Sequence, residues 1–219
     1  MALARTTQKS EPERPGSMLM TRETFLHLIS QGTPERYEWI DGVVYNMTGS
    51  SGAHAFLALA MYNLLRSTYP LDGPCQPFTE QWVELPDGSL LAPDAVLTCT
   101  LSDWSEPDGA STPMHITHPR LVVEVLSKST QGYDRKRKLE RYKACVTLEA
   151  YLLIHQKEPR VDVFRRHDGW QEKRMTGLEA VIQLPELGLV VPLATLYANV
   201  PRRLRGPGFE PPQDHAEAR

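Results

Sequence analysis

The chain has 219 residues, of which 41% are hydrophobic and 23% charged, with a formal net charge of -3. Those proportions are globular and exclude wholesale disorder, and the length suits one domain of generous size. No run approaches the ~18 apolar residues of a membrane helix. The N-terminus has no secretory apolar core, and three widely spaced cysteines exclude a disulfide framework or a CxxC zinc knuckle. The expectation is a soluble, cytoplasmic protein.

Residues 1–17 and 202–219 are polar and contain Pro, so both are expected to be disordered tails around a folded unit at 18–201. Thr21 opens a helix whose apolar stripe is Phe25, Leu26, Leu28 and Ile29, with Gly32 at its end. Tyr37 to Met47 reads as a hairpin turning at Asp41-Gly42. From His54 to Tyr69, Phe56, Leu57, Ala60, Met61, Leu64 and Leu65 recur at helical spacing, and Pro70 stops them.

Phe78 to Leu85 reads as a strand, followed by a Pro86-Asp87-Gly88 turn and by Leu90-Leu91 running into Ala95–Cys99. Residues 101–118 read as loop. The run Leu121 to Leu126, LVVEVL, is almost wholly apolar, as in a strand buried on both faces. A helix from about Tyr133 to Cys145 follows. Strands come next at Glu149–His155, Val161–Arg166 and Trp170–Arg174, the last two turning at Asp168-Gly169, and then a short helix near Leu193–Asn199. The order gives an α/β (α+β) class, a mixed β-sheet flanked by α-helices.

The charge is unevenly distributed. Lys128 to Lys143 holds seven Lys/Arg against Asp134 and Glu140. Such a strip fits a polyanion-binding surface, and it equally fits a solvated helix face.

The residue least at home is Glu124, a carboxylate in the middle of an apolar strand, where an unpaired charge is expensive. It needs a basic partner, a metal or an outlet to water. Asp94 follows Pro93 at the opening of another strand, and Glu38 lies between Tyr37 and Trp39 on the same strand face as Ile40. Three converging acids would make a hard oxygen site for Mg²⁺ or Mn²⁺, and would hardly be stable without one. On the following helix Asp134, Lys138 and Tyr142 share a face. Lys138 either reaches back to Glu124 or forms an i,i+4 pair with Asp134. His54, at the start of the second helix, reads as a cap or a core hydrogen bond. The glycines of 49–52 lack the ending of a phosphate loop, and Ser127 and Ser129 lack a hydrolase motif.

Together YE-x-x-DG at Tyr37 to Gly42, Pro93-Asp94, P-x-L-V-V-E-V-L-S-x-S-T from Pro119 to Thr130 and D-x-x-x-K-x-x-x-Y from Asp134 to Tyr142 resemble the Uma-two family of restriction-endonuclease-like proteins. That family belongs to the PD-(D/E)XK nuclease superfamily, and the resemblance covers about residues 20–200. It implies a restriction endonuclease-like core with Asp94 and Glu124 as ligands of Mg²⁺ (or Mn²⁺), Glu38 as an additional acid and the Val125 carbonyl as a further ligand. The superfamily's E-x-K lysine would fall at Leu126, so Lys138 is its migrated replacement. His155 stands where the family ends a strand with an acid, and Lys128 where it usually has proline.

The implied activity is metal-assisted hydrolysis of DNA phosphodiesters, with Glu38, Asp94, Glu124 and Lys138 as the catalytic set. The basic helix at 135–143 would contact backbone phosphates, and two copies would form a homodimer able to cut both strands. Two rivals stand beside this reading. One is a binding module for nucleic acid or protein that keeps the fold without turnover, motivated by Leu126. The other is a hydrolase of a different phosphodiester.

Overall fold

A computed structural model describes residues 17–33, 35–47, 51–104, 115–126, 137–206 and 209. The chain begins with β1 (Met18–Leu19), α1 (Arg22–Ser30), β2 (Tyr37–Ile40), β3 (Val43–Asn46) and α2 (Gly52–Thr68). Short strands follow: β4 (Gln76–Phe78), β5 (Trp82–Glu84), β6 (Leu90–Leu91), β7 (Ala95–Thr98) and β8 (His115–Ile116). The central strand β9 (Pro119–Leu126) precedes α3 (Leu139–Tyr142), β10 (Ala150–His155), β11 (Arg160–Arg165) and β12 (Lys173–Thr176). A hairpin of β13 (Val181–Leu184) and β14 (Leu189–Pro192) leads into α4 (Leu193–Ala198).

Local chemistry sets several of these boundaries. Thr21 and Ser51 cap α1 and α2 by accepting the backbone N–H three residues on. The β2–β3 turn places both Asp41 and Gly42 at positive φ, as a two-residue hairpin loop of that sequence requires. Helix α2 starts two residues before His54 because Ser51 supplies its cap.

The strands form two six-stranded sheets. The first has the order β1-β3-β2-β6-β5-β8, and the second β12-β11-β10-β9-β7-β4. In the second, β9 and β10 run parallel while every other neighbouring pair is antiparallel, so the sheet is mixed as expected. Alternation splits β9 between two cores. Leu121, Val123 and Val125 pack with Leu57, Met61 and Leu65 of α2 and with Leu193 and Leu196 of α4. Val122 and Leu126 face the other way, against Ile40 and Tyr45 of the first sheet and Leu139 and Tyr142 of α3. Glu124 lies on this second face, in the layer between the two sheets.

Several expectations are corrected. Phe78 to Leu85 is not one strand: the chain takes a positive φ at Glu80, and β4 and β5 join different sheets. Likewise Leu90-Leu91 does not run into the next strand, because Ala92-Pro93-Asp94 crosses from the first sheet to the second. The strand expected at Trp170–Arg174 starts at Lys173, after a positive φ at Trp170. The β13–β14 hairpin was not anticipated. Cys75 and Cys99 form one disulfide, whereas Cys145 is a buried free thiol.

The segment from 202, expected as a tail, begins with a 3₁₀ turn at Arg202–Leu204. Leu204 and Phe209 pack against the α2–α4 core. No described helix is long and apolar enough to cross a membrane.

Candidate active site

Four parts of the chain deliver the site. Glu38 comes from β2 in the first sheet, Asp94 from the crossing between sheets, Glu124 from β9 in the second sheet, and Lys138 from the segment leading from β9 into α3. The alternation of β2 turns Glu38 and Ile40 inward, leaving Glu38 with no exposure at all. Asp94 is anchored because its own N–H donates to the Val123 carbonyl at 3.1 Å. Its Oδ2 in turn accepts the Val125 N–H at 2.6 Å.

Lys138 is fully buried and joins two of the acids. Its Nζ lies 2.7 Å from Glu38 Oε1 and 2.9 Å from Glu124 Oε1, so those two oxygens are separated by no more than the sum of the two distances. Residues 137–138 form a π turn ahead of α3, which places Lys138 among the buried residues with Leu139 while Arg137 remains exposed. Of its two expected alternatives, the reach to Glu124 is realised. Asp134, and with it any pairing to Lys138, lies outside the described residues.

The third acid has different partners. Asp94 Oδ1 accepts from Arg36 Nη1 at 2.8 Å and faces His54 Nε2 at 3.0 Å. Arg36 Nη2 also donates to the Ala92 carbonyl at 2.5 Å, and the Ala92 N–H donates to Glu38 Oε1 at 3.1 Å. Burial alone would raise the Asp94 pKa, but the hydrogen bond from His54 and the charge of Arg36 outweigh it. They hold the carboxyl well below the usual carboxylate range. The Arg36 pKa is raised: burial works against its charge, and Asp94 first, then Glu124 and Glu38, more than compensate. The Tyr142 phenol beside the site is pushed well up, by burial and then by the negative charge of Glu124.

The sequence missed Arg36 entirely. It stands directly before the β2 acid motif, 58 residues from its partner, and no spacing pattern signals it. His54 was singled out, yet its part is not that of a cap, since Ser51 fills that position. The expectation that three acids would hardly be stable without a metal is also corrected, because Lys138, Arg36 and His54 supply internal partners.

Of the basic strip, Lys138 is buried, Arg141 pairs with Asp41 and Asp87, and Lys143 pairs with Glu140. These three therefore do not form an open phosphate-binding face. Lys128, Arg135 and Lys136 lie outside the described residues.

The donor set suits a hard divalent ion. It is made of carboxylate oxygens, and Glu38 Oε2 is buried with no hydrogen-bond partner among the described residues. Among the described residues, no group of three or more His, Cys, Asp or Glu side chains closes into a ready coordination shell. The Lys138 ammonium already holds Glu38 Oε1 and Glu124 Oε1, and the Arg36 guanidinium holds Asp94 Oδ1.

His155 ends β10 in register with Leu126 of β9, on the same face as Glu124. It faces Asp162 of β11, Nε2 to Oδ2 at 2.8 Å. Arg160 Nε reaches Asp162 Oδ1 at 3.0 Å, and Arg174 Nε lies 3.4 Å from the same oxygen. At this strand end, where the resemblance leads one to expect an acid, the chain has a histidine bound to a buried acid one strand over.

The mixed sheet with its flanking helices is a restriction endonuclease-like fold. A crystal structure described as "a putative nuclease belonging to DUF820" from Anabaena variabilis shares that fold. It has a TM-score of 0.66 over 82% of this chain and 98% of that one, at 18% identity.

A sequence model of the Uma2 family, described as "Putative restriction endonuclease", matches residues 22–194, and the chain belongs to that family. Two Synechocystis proteins are also similar. One, slr1290, is 31% identical over 137 residues, which are 61% of this chain and 68% of that one. The other, sll1609, is 28% identical over 154 residues, which are 68% of this chain and 81% of that one.

Proposed function

We propose that this chain is a divalent-metal-dependent endonuclease that hydrolyses phosphodiester bonds in DNA. The observation that carries the reading is the buried meeting of Glu38 and Glu124 on the Lys138 ammonium beside Asp94. Lys138 reaching Glu38 and Glu124 supports its standing in for the lysine absent at position 126, and so supports turnover over a binding module. Family membership supports nucleic acid as the substrate.

Asp94, Glu124 and the Val125 carbonyl would hold Mg²⁺ or Mn²⁺, with Glu38 beside them. When bound, such an ion supplies Lewis acidity toward a phosphoryl oxygen and lowers the pKa of a coordinated water. The chain's own residues do the rest. The Val125 N–H fixes the Asp94 carboxylate in one orientation, and His54 and Arg36 keep it ionised. Lys138 holds a positive charge in a water-poor layer, where it can offset the charge that develops on a phosphorane-like transition state or orient the attacking water. Glu38 and Glu124 keep the Lys138 ammonium in place, so its orientation costs nothing at the moment of reaction.

The test is plasmid nicking by wild-type and Asp94→Asn protein with Mg²⁺, with Mn²⁺ and with EDTA. Metal-dependent nicking that falls at least ~100-fold in the variant is expected. Cleavage that survives both EDTA and Asp94→Asn would refute the assignment.

A further inference from the structure

The charges of the site do not match a divalent ion while Arg36 is in place. Glu38, Asp94 and Glu124 bring three negative charges, and Lys138 and Arg36 return two. With Arg36 withdrawn, the three acids and Lys138 leave two negative charges, the complement of one divalent ion.

The two cations are also held very differently. Lys138 is sealed in the layer between sheets with no side-chain exposure, whereas the Arg36 side chain is 24% exposed. Arg36 lies before β2 rather than within it, and its Nε is buried with no hydrogen-bond partner among the described residues. Asp94 Oδ2 is committed to the Val125 N–H, while Oδ1 is shared by His54 and Arg36, so a ligand on Oδ1 would take the place of Arg36.

We propose that Arg36 is an internal counter-ion that a hard divalent cation displaces: the guanidinium and the metal compete for Asp94 Oδ1. The inference rests on the metal-dependent reading above and adds a residue to it. In the free protein Arg36 neutralises a buried carboxylate that would otherwise be costly. On loading, its guanidinium leaves Oδ1 for the solvent-exposed side, while the Val125 and His54 contacts retain Asp94. The affinity of the site for metal is therefore set partly by the strength of the Arg36–Asp94 pair.

The experiment is Mn²⁺ titration, followed by the electron paramagnetic resonance of free Mn²⁺, on wild-type, Arg36→Met and Asp94→Asn proteins, with circular dichroism on each. The expected result is binding by wild type, loss of binding in Asp94→Asn, and binding about tenfold tighter in Arg36→Met. That factor corresponds to one charge-assisted hydrogen bond no longer broken. Equal or weaker binding in a folded Arg36→Met protein, with wild type still binding, would overturn the counter-ion role and leave the metal site standing. No binding by folded wild type or Arg36→Met would overturn the metal-dependent reading itself.

A second measurement covers the case in which Arg36→Met does not fold. The Arg36 Nε–H resonance of ¹⁵N-labelled wild type is followed during Mg²⁺ titration, and displacement predicts its loss to fast solvent exchange. A resonance that stays in place at saturating Mg²⁺ contradicts displacement.

Discussion

Glu124 and Asp162 lie on the same face of the same sheet, in one cross-strand row: Glu124 faces Leu153, Leu153 faces Asp162, and Asp162 faces Arg174. Both acids are buried and both have basic partners, yet the two clusters differ in how many of their acids are buried. Around Asp162, one carboxylate meets His155, Arg160 and Arg174, and Arg160 and Arg174 also reach Glu158 and Glu172. Around Glu124 all three acids, Glu38, Asp94 and Glu124, are buried, whereas Glu158 and Glu172 reach solvent, and Glu38 Oε2 is left without a partner among the described residues. The first cluster is what a fold needs in order to bury a charge. The second leaves acceptor capacity over, and unspent capacity in a buried cluster points to a ligand.

The sharpest way to break this comparison is to remove one cation from the Glu124 cluster. Lys138→Met leaves Glu38 and Glu124 buried without their shared ammonium. It should destabilise the protein by about 3–5 kcal/mol, read from urea denaturation, and abolish nicking. Adding Glu38→Gln should recover part of that stability and none of the activity, with a coupling of roughly 0.5–3 kcal/mol in the double-mutant cycle. Strict additivity would show that the pair does not act as a unit.

The Asp162 cluster should respond less. In Asp162→Ala both arginines keep other acids, so about 1–3 kcal/mol is expected, with Mn²⁺ affinity unchanged. A change in metal affinity would join the two clusters into one site.

Asp103 provides a third buried carboxylate, closed almost wholly by neutral donors, and it should give the smallest effect. Burial raises its pKa, but hydrogen bonds from Thr98, Thr117 and His118 bring it below the ordinary value. Because the folded pKa lies below the unfolded one, the contribution is complete above the unfolded value of about 3.9 and is lost as pH falls through the folded value. Asp103→Asn should therefore flatten the acid limb of a Tm-against-pH profile below about pH 4. An unaltered acid limb would assign that sensitivity to other carboxylates.

Much of this was legible in the sequence, and the parts that were not have physical causes. Asp-Gly at 41–42 marks the β2–β3 hairpin because the turn needs positive φ there, and the apolar run around Glu124 marks the central strand. The conflict between that glutamate and its surroundings drew attention to the site. The break at Glu80 left no mark, because a single left-handed residue between apolar stretches carries no glycine to signal it. Arg36 was invisible for another reason. An arginine beside a strand is ordinary, and its role appears only when the fold brings Asp94 to it. Lys138 was visible as a candidate through its spacing from Tyr142, but its complete burial depends on the π turn.

The parallel pairing of β9 and β10 has a consequence for how such sites diversify. Parallel neighbours cannot be joined by a tight turn, so the chain leaving β9 at Leu126 must travel back before β10 begins at Ala150. That return path is obligatory, and it starts at the mouth of the site. Any lysine carried on it can reach the strand ends without belonging to the strand, so the ammonium and the acids are inherited on separate pieces of architecture. In this chain position 126 is a leucine packed in the core between the sheets, and the ammonium reaches Glu124 from position 138 instead.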